Sequence, residues 1–164
     1  MKPTKMLPLL ALIALLMFSC STEEFPEETI NSIELQNAPE AKTIEIEILE
    51  LINSHRISMG LNALNNHNTI KAVAFTHTDY MVEVNNVSHD NFFQRKNSLI
   101  QNASATKVSE NVAYAFSSAQ SVVNAWLNSE GHRANIEGDF TDFDVSAEKN
   151  GEGKWYFTNI FIKK

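Results

Sequence analysis

An α+β fold is predicted for this 164-residue chain by three observations. Apolar residues recur at helical spacing early in the stretch from Thr43. They alternate at strand spacing near the C-terminus. The last two strands are joined by Asn150-Gly151-Glu152-Gly153, a link whose residues tolerate positive φ and therefore tight turns. Helices first and a hairpin last, with no internal repeat, argue for segregated layers rather than a βαβ repeat.

The elements follow in order. Ile44, Ile48, Leu51 and Ile52 share one face of a helix from Thr43 to Ser58, and Gly60 suits its stop. A second helix is predicted over Thr69–Val84, with Ile70, Val73, Ala74, His77, Met81 and Val84 on one side and Asn68 or Thr69 as its cap. The polar stretch that follows, to about Lys107, reads as irregular. Val108–Phe116 reads as a strand. Ser118–Asn128 reads as a third helix, with Val122, Val123, Trp126 and Leu127 as its buried stripe. Strands are predicted at Asp142–Lys149 and Lys154–Ile162. In the latter, Trp155, Phe157, Asn159 and Phe161 face one way and Tyr156, Thr158, Ile160 and Ile162 the other. Both faces are largely apolar, so helices should cover the strand on both sides.

Composition limits the function. Hydrophobic residues make up 43% and charged residues 20%, the balance of one domain with a core. Twenty acids against 13 bases give a net charge of −7, which argues against nucleic acid as a partner. The only cysteine, Cys20, excludes a disulfide framework and a cysteine-ligated structural zinc site.

The first residues read as a targeting segment. Lys2 and Lys5 precede an apolar run from Leu7 to Phe18, interrupted only by Pro8. A bilayer-spanning helix needs about 20 apolar residues, so this run fits the core of a secretion signal instead. It stops at Ser19-Cys20, which resembles a bacterial lipoprotein signal with Cys20 as the lipidated first residue. The alternative is a simple secretion signal with an incidental cysteine. Losing residues 1–19 removes two lysines and no acid, taking the net charge from −7 to −9. An acidic body is repelled by anionic lipid, so attachment to a membrane would come through the acyl chains on Cys20. Residues 20–42 then read as an acidic, disordered tether, with six glutamates and two prolines. The folded domain is expected over 43–164.

No HExxH, calcium loop, phosphate loop or G-x-S-x-G elbow is present. The titratable candidates are His55, His67, His77, His89 and His132 with carboxylates brought near by folding. Spacing alone selects none of them.

A series of short motifs does. Leu51-Ile52-Asn53-Ser54-His55-Arg56 is followed by Gly60-Leu61, then Ala74, His77 and Met81, then Val87-Ser88-His89. Next come Ser109-Glu110-Asn111-Val112-Ala113, Val123 to Trp126, and Ser129-Glu130-Gly131-His132-Arg133-Ala134-Asn135-Ile136. Phe140-Thr141 and Tyr156-Phe157-Thr158-Asn159-Ile160-Phe161 close the series. In this order, over roughly residues 44–162, the chain resembles the bacterial branch of the CAP superfamily. That superfamily groups cysteine-rich secretory proteins, antigen 5 and pathogenesis-related proteins.

The resemblance implies a three-layer α-β-α sandwich with a mainly antiparallel central sheet and a shallow cleft. It implies that the cleft histidines are His89 and His132, able in some members to hold a divalent metal, and that the cleft glutamate is Glu110. The fourth cleft position falls on Ser129, with Glu130 as a possible substitute. Ser109 stands where glycine is usual, and Asn159 where glutamine is usual. Two neutral imidazoles suit a borderline ion, zinc above all, and would leave it open to water. Glu110 could ligate, orient an imidazole, act as a base, or simply hold its loop through backbone N–H groups. His77 is expected to be a core histidine bonded to backbone, Asn111 and Asn135 to bond loop backbone, and Arg133 to pair with an acid. His55 and His67 are expected to be solvated.

The leading expectation is an exported lipoprotein whose CAP domain is a binding or interaction module at the cell envelope, on the outer membrane or cell surface. Its partner would be a lipid, a cell-wall component or another protein. The alternative is a metal-assisted hydrolase of the peptidase kind, in which His89 and His132 hold the ion and Glu110 activates its water. A purely structural domain is a third reading.

Overall fold

Residues 37–164 are described by a computed structural model. The signal segment, Cys20 and most of the tether lie outside the described residues. The first helix, α1 (Thr43–Ser58), has the predicted bounds and buries Ile48, Leu49 and Ile52. A two-residue strand, β1 (Asn65–Asn66), leads into α2 (Asn68–Val84), capped by His67, whose ring nitrogen accepts from Thr69 N at 3.2 Å. His67 is thus a cap, a role expected of Asn68 or Thr69. Next come α3 (Phe92–Ala103), β2 (Lys107–Tyr114), α4 (Ala119–Asn128, capped by Ser118) and α5 (Glu130–Ile136). The hairpin β3 (Asp142–Lys149) and β4 (Trp155–Lys163) completes the chain.

Two helices correct the sequence reading. The stretch before Lys107 is not irregular, because α3 occupies half of it. Its buried stripe is Arg95, Ser98, Leu99 and Ala103, helically spaced but half polar, so apolar periodicity does not reveal it. In α5, seven residues long, only Ile136 is fully buried. β2 stops at Tyr114, two residues short of Phe116, where Ala115 takes φ +65.

The sheet order is β1-β3-β4-β2. β1 is parallel to β3, and the other pairs are antiparallel. One face packs Phe143, Val145, Phe157 and Phe161 against α1 and α4, with Trp126 at full burial. The other packs Ile160 and Ile162 against α2 and α3 through Ile70, Val73 and Leu99. β4 is therefore covered on both sides, and the architecture is the expected α-β-α sandwich.

Both sheet edges are closed by side chains. β1 pairs only with Asp142 and Phe143, so among the described residues the rest of β3 borders no strand on that side. There Lys71 Nζ donates to Val145 O at 2.8 Å and Ala147 N donates to Glu45 Oε1 at 2.7 Å. Glu45 and Lys71 also form a 2.7 Å ion pair between them. At the opposite edge, Asn135 Nδ2 and Trp126 Nε1 donate to Glu110 O and Val112 O, at 3.2 and 3.1 Å. A bare edge would leave buried backbone groups unpaired, and these side chains satisfy them. At β2 they also fasten α4 and α5 beside Glu110.

Candidate functional site

Glu110 projects from β2 toward α2 and α3 and is buried. Three groups converge on its carboxylate. Arg95 from α3 grips it with two donors, Nε to Oε2 and Nη2 to Oε1, both at 2.7 Å. His89, from the segment between α2 and α3, places Nδ1 2.8 Å from Oε1. His77 Nε2 lies 3.9 Å from the same oxygen. Asn91, at φ +60, turns the chain into α3 and lets Arg95 Nη1 also bond Asp90 O at 2.6 Å. Thus the guanidinium fixes both the carboxylate and the segment that carries His89.

The electrostatics follow from this packing. Burial alone would raise the Glu110 carboxyl, but hydrogen bonds from His89 and Arg95, and the charge of Arg95, more than reverse it. The group sits below its ordinary value. His77 is pushed down to about 4, by burial first and then by Arg95. It is neutral, and its Nε2–H donates to Ser88 O at 2.8 Å. His77 is therefore the backbone-bonded core histidine expected, and it also borders the cleft carboxylate.

His132 stands on α5. Asn111 Nδ2 donates to His132 O at 3.0 Å, and Asn135 Nδ2 donates to Asn111 Oδ1 at 2.8 Å, so these asparagines pin α5 to β2. The His132 imidazole is pushed down by burial and then by the charge of His89. Ser129 is half-buried where α4 meets α5, and Glu130 is exposed in the first turn of α5. Neither side chain bonds His89, Glu110 or His132 among the described residues. Arg133 reaches Leu127 O at 3.5 Å rather than an acid. His55 is not free in solvent, since it bonds Glu137 at 2.9 Å.

Sequence reasoning missed Arg95. The available signal was its spacing to Ser98, Leu99 and Ala103, which makes sense only once a polar residue is allowed on a buried stripe. Asn159 Nδ2 donates to Asp144 O at 2.8 Å, while its Oδ1 and the Ser109 hydroxyl are buried without partners among the described residues. Ser109 and Asn159 are two of the positions where the chain departs from the residues the resemblance leads one to expect, and the Ser146 hydroxyl is likewise buried without a partner.

A neutral imidazole with a free ring nitrogen is a donor suited to a borderline divalent ion. His89 uses Nδ1 on Glu110, leaving Nε2 on a ring whose side chain is 52% exposed. Glu110 would orient that ring rather than ligate, because Arg95 engages both of its oxygens. Among the described residues no group of three or more His, Cys, Asp or Glu is placed to hold a metal. A closed site is thus not built among the described residues.

Two buried groups outside the imidazole pair give a pH signature. Unfolded, His77 takes a proton at its ordinary 6.5, but folded only near 4. Its contribution to stability is whole above pH 6.5 and is lost as pH falls toward 4. Asp144 is opposite. Burial raises it from 3.8 to about 6, so its contribution is greatest below 3.8 and is lost as pH rises to 6. Between pH 4 and 6 the slopes oppose, each at most about 1.4 kcal/mol per pH unit. Relative to wild type, urea unfolding of His77→Gln should show stability rising on acidification and Asp144→Asn stability falling. Parallel curves for all three proteins would refute the opposition.

A family model described as "Cysteine-rich secretory protein family" (CAP) matches residues 49–161. Two relatives from Bacillus subtilis (strain 168) are similar: the uncharacterized membrane protein YlbC, 34% identical over 126 residues, and the uncharacterized protein YkwD, 32% identical over 127. The matches cover 74% and 73% of this chain but only 35% and 47% of those proteins, so the chain spans less than half the length of either. Among solved structures, an outer surface protein from Borrelia burgdorferi superimposes at TM-score 0.65 with 24% identity, over 71% of this chain and 90% of that one. An extracellular protein containing a SCP domain from Bacillus anthracis str. Ames gives 0.64 with 28% identity, over 73% of this chain and 40% of its own.

Proposed function

The chain belongs to the cysteine-rich secretory protein (CAP) family, and from that premise we propose that it is an exported binding module held at the bacterial envelope by lipid on Cys20. Its cleft, built on His89, His132 and Glu110, engages a partner at the outer membrane or cell surface and takes a divalent ion, zinc above all, on the two imidazoles. The partner is a lipid, a cell-wall component or another protein. Extracellular and membrane-named relatives support the location, and among the described residues no helix is long and apolar enough to cross a membrane.

One observation carries the choice of binding over turnover: the paired hydrogen bonds from Arg95 to Glu110. A general base works best with a pKa near the working pH, and a carboxylate clamped by a guanidinium is pushed the other way. The residues therefore hold and orient. Glu110 fixes His89, Arg95 fixes Glu110, and Asn111 and Asn135 fix α5 with His132. A bound ion would supply a Lewis acid with open positions for an oxygen or nitrogen ligand of the partner.

Calorimetric titration with zinc at pH 7.5 tests this reading. Binding weaker than a four-ligand site is expected, with at least a tenfold loss in both His89→Ala and His132→Ala, since each removes one of two ligands. Affinity should fall as pH drops, because protons compete for the imidazoles. Zinc affinity unchanged in both variants would count against the cleft. Zinc-dependent release of fragments from a peptide substrate, abolished by Glu110→Gln, would favour the hydrolase instead.

A further inference from the structure

A groove of about 1070 Å³ lies at the sheet edge opposite the histidine cleft. The cleft is built on β2, the last strand in the order β1-β3-β4-β2, whereas the groove is bounded by β1, the outer side of β3, α1, the start of α2 and residues 37–41. Its α1 wall is apolar, with Leu49 and the exposed Ile46 and Ile57. Its other wall is polar, with Asn66, Asn68 and Asp144.

The charge of this groove is one-sided. Glu40, Glu50 and Asp144 line it, against Lys71 alone. That ammonium is already committed, at 2.7 Å to Glu45 and 2.8 Å to Val145 O. Asp144 is different. It is 7% exposed, and each of its oxygens takes one backbone N–H, from Val145 at 2.9 Å and His67 at 3.2 Å. Among the described residues no cation forms an ion pair with it, although the nearby charge of Lys71 draws it down somewhat against burial. A carboxylate has about four acceptor positions, so Asp144 keeps capacity facing the groove. Burial makes its charged form costly, and an incoming cation would relieve that penalty.

These features select a ligand class. Anionic headgroups and phosphates are repelled. A simple polyamine would leave the apolar wall and the side-chain amides unused. A peptide uses all three: its amides match the donors and acceptors of Asn66 and Asn68, an apolar residue packs on the α1 wall, and a lysine reaches Asp144. We propose that this groove binds a short basic peptide segment, seating a lysine ammonium at Asp144, as a second site separate from the histidine cleft.

The test is a titration of the ¹⁵N-labelled full chain with acetyl-Ala-Lys-Leu-amide up to about 10 mM, followed by amide shifts. The signals of Asn66, Asn68 and Ala72 should move and saturate, while the His89 and His132 ring signals stay in place. Glu50→Gln, an exposed change on the groove wall, should weaken binding about two- to threefold, and Asp144→Asn about tenfold. Should Asp144→Asn fail to fold, Glu50→Gln still decides. The proposal is overturned if the signals do not move, if acetyl-Ala-Glu-Leu-amide binds as well, or if Glu50→Gln binds like wild type. Equal affinity for butylamine would overturn the peptide assignment.

Discussion

Arg95→Leu is expected to lower the unfolding free energy by about 3–5 kcal/mol, because it strips the counter-ion from a buried carboxylate. Three ionisable side chains lie within 4 Å of the Glu110 carboxylate among the described residues, and Arg95 supplies the only permanent positive charge among them. His77 is held neutral and cannot take its place. A domain of this size has about 5–15 kcal/mol in all, so the variant should be marginal. Urea unfolding gives the number, and the double variant Arg95→Leu/Glu110→Gln should recover part of it, since no uncompensated charge remains. The His77 imidazole should also titrate higher once the guanidinium is gone, which proton NMR of the ring reads directly. A loss under about 1 kcal/mol would mean that the pair is solvated, contrary to the buried geometry.

Glu45→Ala should cost about as much, ~3–5 kcal/mol, for a different reason. The Glu45 carboxylate is fully buried and meets the backbone N–H groups of Lys42 and Ala147 and the Lys71 ammonium, each at 2.7 Å. Its loss bares a strand edge as well as a cation. Replacing an ordinary buried ion pair by apolar residues is often nearly neutral. Here Glu45→Leu/Lys71→Met should still lose about 2 kcal/mol, because Ala147 N–H and Val145 C=O remain without partners. Denaturant unfolding of the two single variants and the double separates these terms. A double variant as stable as wild type would falsify the edge-closing role. Size-exclusion chromatography should also show Glu45→Ala associating with concentration, as unprotected edges do.

How much of this was legible follows from what buries each residue. The bounds of α1 and β3 were readable because Ile48 and Ile52, or Phe143 and Val145, are buried by the hydrophobic effect, which leaves a periodic trace. α3 left no such trace, because Arg95 and Ser98 are buried polar groups, and arginine is ordinarily exposed. The end of β2 was hidden for another reason: Ala115 adopts a left-handed conformation that its residue type does not announce. In the candidate site, His89, Glu110 and His132 are 21 and 22 residues apart in turn, too far for any local pattern. Only the ordered series of family motifs joined them. Asn111 and Asn135 were legible as backbone-bonding residues, whereas the guanidinium that fixes the carboxylate came from the folded chain alone.

Lys42, where the described chain enters α1, is fastened by its backbone to Glu45 and by its side chain to Glu148 at the outer side of β3. Tension applied through the N-terminal segment therefore enters at that rim and spreads into α1 and β3. His89 and His132, beside β2 and two strands away beyond β4, lie outside that line of force, so a load at Lys42 leaves the contacts of Glu110 untouched.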